Sequence, residues 1–115
     1  MMSQISGETV EVANGHLSFE IYDVSANMLS VITDLLVDAH GFTAGDESVI
    51  GLDEVVTELS KGGVKLGLGW DNWTGAYLMA FCKDGDKLLG EVSQSLSDEL
   101  AKPEYSRYID HRGVA

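Results

Sequence analysis

Three histidines, one cysteine and a scatter of carboxylates are the residues with which this 115-residue chain could do chemistry. Their spacing argues against most of it. His16, His40 and His111 stand far apart, and none has a second histidine or a cysteine three or four residues away. A histidine-based metal site needs such neighbours, so no metal is expected. Asp46 and Gly51 open like a calcium-binding loop, but Thr57 stands where a bidentate glutamate is required. Gly67-Leu68-Gly69 never reaches a third glycine and opens no helix, which excludes a dinucleotide fingerprint. No cofactor is expected.

Nucleophilic and acid–base catalysis find little support either. Cys82 lies beside Lys83, which favours a thiolate, but no histidine or acid is placed near it. Glu11 and Glu20 are expected diagonally across the outer face of one hairpin, with His16 and Tyr22 nearby. A working acid–base pair needs one carboxyl in a dry pocket, whereas the polar face of an open sheet is ordinarily wet. The chain is therefore read as non-enzymatic, with no catalytic residue assigned.

Charge carries more information than motif. The formal net charge is −12. Residues 1–60 hold eleven acids and no lysine or arginine, whereas residues 61–115 hold eight acids against seven bases. An acidic half repels nucleic acid and anionic membranes. It attracts basic proteins and speeds their encounter. Asp46, Glu47, Asp53, Glu54 and Glu58 concentrate this charge and are the first candidate partner-binding residues. Trp70 and Trp73 are the second, because tryptophan is enriched where partners dock.

The elements that must position these residues follow from periodicity. Val10 and Val12 alternate towards Asn14-Gly15, and Leu17, Phe19 and Ile21 alternate after it, which predicts a hairpin. A two-residue turn pairs Val12 with Leu17 and Val10 with Phe19. Met28 to His40 has an amphipathic helical pattern, with Asp23 or Ser25 as its cap and Gly41 as its stop. Residues 42–48 read as a loop. Leu52, Val55, Val56 and Leu59 sit at helical spacing and predict a short second helix, with Asp53 and Glu54 at its positive end and Gly62-Gly63 after it.

The second hairpin, Val64 to Cys82, is expected to turn at Asp71-Asn72, with Trp70 opposite Trp73. That register puts Val64, Leu66, Leu68, Trp70, Trp73, Tyr77, Met79 and Phe81 on one bulky face, which reads as core. It leaves Gly67, Gly69, Ala76, Leu78 and Ala80 on a smooth one that a ligand, helix or protein can approach closely. Leu88, Leu89, Val92, Leu96 and Leu100 stripe a last long helix capped by Asp84 or Asp86 and ended at Lys102-Pro103.

The expectation is thus one α+β domain over 1–115. Its four-stranded antiparallel sheet comes from two hairpins in a ββα-ββα pattern, with two long helices on one face and a short inserted helix. Residues 1–7 and 104–115 are expected to be loosely ordered, although Tyr105, Tyr108 and Ile109 have the spacing of a short amphipathic turn. The chain has no apolar run long enough to span a bilayer and no signal-peptide pattern, so a cytoplasmic location is expected. In function it reads as an acidic binding protein for a basic partner, with neutralisation of a nuclease-type toxin as one concrete form. The alternatives are an acidic homodimeric chaperone for a secreted effector, with the smooth face at the dimer contact, and a small-molecule or enzymatic domain built on the Trp70–Trp73 hairpin.

Overall fold

A computed structural model describes Ile5 and residues 7–50, 54–71 and 73–109. The chain runs β1 (Gly7–Glu11), β2 (Leu17–Tyr22), α1 (Met28–His40), β3 (Thr43–Ile50), β4 (Glu54–Lys61), β5 (Val64–Asp71), β6 (Gly75–Ala80) and α2 (Lys83–Leu100), then a 3-10 turn, Pro103–Tyr108. The sheet is antiparallel and has six strands, in the order β1-β2-β6-β5-β4-β3. The expected four-stranded sheet and doubled ββα pattern are therefore wrong: one hairpin and one helix precede a four-strand meander and the last helix.

The two extra strands come from the stretch read as loop and short helix. Residues 43–50 form β3, and residues 54–61 form β4. Leu52, Val55, Val56 and Leu59 do match a helical period, but Val55, Val56 and Thr57 are consecutive β-branched residues, which favour a pleated backbone. Burial alternates along β4, with Thr57 and Leu59 buried and Glu58 exposed between them. Gly62-Gly63 is the two-residue turn joining β4 to β5, both residues at positive φ, with Lys61 opposite Val64.

Both hairpin registers also differ from expectation, for one shared reason. Each loop has three residues instead of two. In the first, the Gly15 N–H donates to Val12 O at 2.9 Å and the Val12 N–H donates to His16 O at 3.0 Å. The pairing becomes Glu11 with Leu17 and Thr9 with Phe19, so Val10 falls opposite Ser18. In the second, Asp71 Oδ1 accepts the N–H groups of Trp73 at 2.8 Å and Thr74 at 2.7 Å. Trp70 then pairs with Ala76 and Leu68 with Leu78. One added residue turns every side chain of the returning strand to the other face.

Gly15 sits at φ +83° with open space around a hypothetical Cβ. Gly15→Val is expected to cost about 1–2 kcal/mol, all of it backbone strain. Equal urea midpoints for variant and wild type would refute the left-handed turn.

The core lies between the sheet and the helices. Leu66, Leu68, Ala76, Leu78 and Ala80 are fully buried and face Ile32 and Leu36 of α1 and Leu89, Leu96 and Leu100 of α2. Gly41 closes α1 at φ +73°. Cys82, not Asp84 or Asp86, caps α2, its sulfur accepting the Gly85 N–H at 3.3 Å. Asp86 serves a different purpose. Its carboxylate accepts the Leu17 N–H at 2.8 Å and contacts His16 Nδ1 at 2.9 Å, tying the first hairpin to α2. The chain after α2 packs back on the body: Tyr105 donates to Glu99 at 2.7 Å, Tyr108 O accepts the Ser25 N–H at 2.8 Å, and Ile109 bridges Val24.

The cap defines a test of Cys82. Serine is a stronger N-cap acceptor than a thiol, so Cys82→Ser is expected to match or slightly exceed wild-type stability. Cys82→Ala should cost about 0.5–1 kcal/mol. Thermal or urea melts of the two variants check the ordering, and an alanine variant as stable as the serine one would remove the cap's contribution.

Candidate functional site

Both helices cover the same face of the sheet, and among the described residues no element crosses the other. That open face is built by the outward positions of the central strands. Ser18, Glu20 and Tyr22 of β2 pair with Met79, Tyr77 and Gly75 of β6, and Met79 and Tyr77 pair in turn with Gly67 and Gly69 of β5. The smooth patch expected here does not exist. Ala76, Leu78 and Ala80 turn into the core, while Gly67 and Gly69 lie under the rings of Phe81 and Tyr77. A Cβ on Gly67 would lie 2.9 Å from the Phe81 ring, and one on Gly69 would overlap Tyr77. These glycines seat aromatic rings from the neighbouring strand, leaving no room for an outside ligand at their backbone.

A cleft of about 230 Å³ opens beside Tyr77. Glu20 and Asp71 supply carboxylates to its wall, Ser18 and Thr74 hydroxyls, and Val12 and Met79 apolar surface. Ser18 is only 1% exposed and its hydroxyl donates to Glu20 Oε2 at 3.0 Å. Partial burial raises the Glu20 carboxyl above its ordinary 4.5. The Ser18 bond lowers it again, and the carboxylates of Asp71 and Glu8 push it further up. Glu8 stands directly opposite Glu20 in the register and accepts the Tyr22 hydroxyl at 2.6 Å. That bond pushes Tyr22 up to about 12, so the phenol stays a donor at neutral pH.

No family model matches the chain, and no curated protein or solved structure does. What the site does must come from its own geometry.

The diagonal placement expected for Glu11 and Glu20, with His16 nearby, does not form. Glu11 pairs with Leu17 and so falls on the helix-side face, away from Glu20, and His16 is committed to Asp86. The two tryptophans divide. Trp70 packs against the core and donates its indole N–H to Val24 O at 2.8 Å. Trp73 is 90% exposed, on the turn that Asp71 fixes beside the cleft.

The acidic candidates scatter. Glu58 is exposed on the open face but pairs with Lys65 at 3.5 Å, a local use that the sequence did not reveal. Glu47 pairs with Thr57 through the backbone, Asp46 lies in the irregularity between Ala44 and Glu47, and Glu54 begins β4 opposite Asp71. The side chains of Asp46, Glu47 and Glu54 lie outside the described part, as does the whole of Asp53. The helix whose dipole Asp53 and Glu54 were to serve is absent, because β4 takes its place.

Glu8, Glu20 and Asp71 were not singled out as a group by the sequence. The signal was present in the alternation Glu8, Val10, Val12 against Ser18, Glu20, Tyr22. It becomes readable only once the loop is given three residues.

The raised Glu20 carboxyl sets a sign for stability. The folded chain holds this proton more tightly than the unfolded chain, so wild-type stability falls as pH rises from about 4.5 through the raised value. Glu20→Gln removes that cost. The variant is expected to be more stable than wild type at pH 7, with the difference vanishing below pH about 4. Urea midpoints at several pH values check this, and a variant less stable at neutral pH would show that the carboxylate is satisfied.

Proposed function

We propose that the protein is a non-enzymatic binding protein that docks a basic protein on the open face of its sheet. The carrying observation is that Glu8, Glu20 and Asp71 gather on this face, which no described element covers, with no base among the described residues of the cleft and the exposed Trp73 at its edge. Like charges held together repel, and a cationic partner relieves the repulsion while gaining the apolar contacts of Val12, Met79 and Phe81. Neutralising a basic toxin by covering its anion-binding surface is one concrete form of this activity. No helix among the described residues is long and apolar enough to cross a membrane.

The test is affinity capture from the source cell at low salt, followed by association kinetics with the captured protein at two salt concentrations. The double variant Glu8→Gln/Glu20→Gln is expected to associate severalfold more slowly, with a flatter salt dependence. Identical on-rates for variant and wild type at low salt would remove the open face from the interface.

A further inference from the structure

We propose that the cleft beside Glu20 receives the side chain of a single arginine on the partner protein. This rests on the preceding reading that the open face docks a basic protein, and it names the group that enters.

The lining selects the guest. Glu20 and Asp71 bring two carboxylates to the cleft, and no lysine, arginine or histidine is among the described residues that line it, so an anion finds no counter-charge there. A wholly apolar side chain would strip water from carboxylates without replacing it, which is costly. Val12 and Met79 offer apolar surface to a methylene stem. The space, about 230 Å³, is below the roughly 300–1,000 Å³ typical of small-molecule pockets, and suits one long side chain.

Arginine fits better than lysine for three reasons. Its planar guanidinium presents several N–H donors in a fixed fork, so it can engage two separated carboxylates together, whereas an ammonium acts as a point charge. It is more weakly hydrated and loses less on entering a partly buried site. It also stacks on aromatic rings, and Tyr77 forms part of the wall while the exposed Trp73 indole stands on the adjoining turn. The carboxylate that gains most is Glu20, already partly desolvated and crowded by Asp71 and Glu8.

The probe is a synthetic peptide, acetyl-Gly-Ser-Arg-Ser-Gly-amide, titrated at low salt into the 15N-labelled full chain, beside versions with lysine or citrulline at the centre. With the arginine peptide, saturable amide shifts are expected at Ser18, Glu20, Thr74, Tyr77 and Met79. The lysine peptide should bind at least about threefold more weakly, and citrulline, which lacks the charge, should produce no saturable shift. Glu20→Gln should weaken arginine binding by about tenfold or more. Met79→Lys, which places a cation of the chain's own in the cleft, should abolish it. Asp34→Asn, in a separate groove between α1 and the β3–β4 hairpin, should leave it unchanged.

Shifts spread evenly over the acidic surface, equal binding of lysine and arginine, or an unaltered affinity in the folded Glu20→Gln chain would each overturn the assignment. The two levels of the proposal separate cleanly. If the arginine peptide gives no saturable shift but Glu8→Gln/Glu20→Gln still slows association with the captured basic protein, the arginine cleft is wrong and the docking face stands. If wild type itself shows no salt-dependent association with a basic protein, the docking face fails as well.

Discussion

Gly75→Ala is expected to unfold the protein or to leave it destabilised by at least about 3 kcal/mol. Two effects add at this position. Gly75 has φ +113°, a conformation that residues with a Cβ adopt only under strain. A Cβ there would also meet backbone, 2.5 Å from Ile21 O, 3.1 Å from Asp23 N and 3.3 Å from Val24 N. Flexible side chains can move aside, but this backbone is fixed from several directions. Gly75 pairs with Tyr22 across the β2–β6 seam, the Asp23 N–H bonds Thr74 O at 3.3 Å, and Val24 is fully buried and holds the Trp70 indole. Gly15 is the natural contrast, since it too has positive φ but open space around it. Urea denaturation of Gly75→Ala beside the Gly15 variant separates strain alone from strain plus collision. A Gly75 variant as stable as the Gly15 one would mean that the seam is looser than described.

Leu78→Ala is expected to cost about 2–5 kcal/mol, and Met79→Ala less than about 1 kcal/mol. The two residues are adjacent, apolar and similar in size, so composition does not distinguish them. Register does. Leu78 is fully buried between Phe19 and Leu68, whereas Met79 lies on the open face between Ser18 and Gly67. A two-residue turn at Asp71-Asn72 would reverse the roles, exposing Leu78 and burying Met79. Chemical denaturation of the two variants therefore measures the loop length indirectly, and the opposite ranking would restore the shorter turn. The Leu78 cost includes the cavity left among Leu66, Leu68 and Leu89, which a packed core closes only partly.

The sequence made the helices and the four strands of the two hairpins legible, because each carries an uninterrupted period. Met28 to His40 and Leu88 to Leu100 keep one apolar stripe over several turns, and Gly41 and Pro103 mark their ends. Faces were harder to read than elements. A hairpin's register depends on one residue of loop, and Asn14-Gly15 and Asp71-Asn72 both suit a two-residue turn. In each case a side chain made the longer loop preferable: Asn14 donates to Ala80 O at 3.1 Å and accepts the His16 N–H at 2.9 Å, and Asp71 accepts two loop amides. β4 was missed because a short apolar run fits both periods, although its β-branched triplet and the Gly-Gly turn after it favoured a strand. Of the candidate site, Trp73 was named as a candidate contact, but the two-residue turn put it on the bulky face opposite Trp70, and its 90% exposure follows from the longer loop. The Glu20 cleft was not legible, since its walls come from strands whose facing sides had been exchanged.

The strand order has a consequence for how the chain acquires its shape. The first hairpin is the earliest part of the fold to leave a ribosome, but its partner strand, β6, is the last. The contacts that hold it, Asn14 to Ala80, Leu17 to Asp86 and His16 to Asp86, join residues 66 to 70 apart in sequence. During synthesis, β2 therefore waits with one edge unpaired and an apolar face uncovered, while the β3-to-β6 meander assembles from neighbouring strands. Sheet closure is a late event of high loop-closure entropy, of the kind that slows folding and exposes nascent chains to aggregation. With eleven acids and no lysine or arginine, residues 1–60 carry a uniform negative charge through this interval. Like charge of that kind opposes edge-to-edge pairing between incomplete copies.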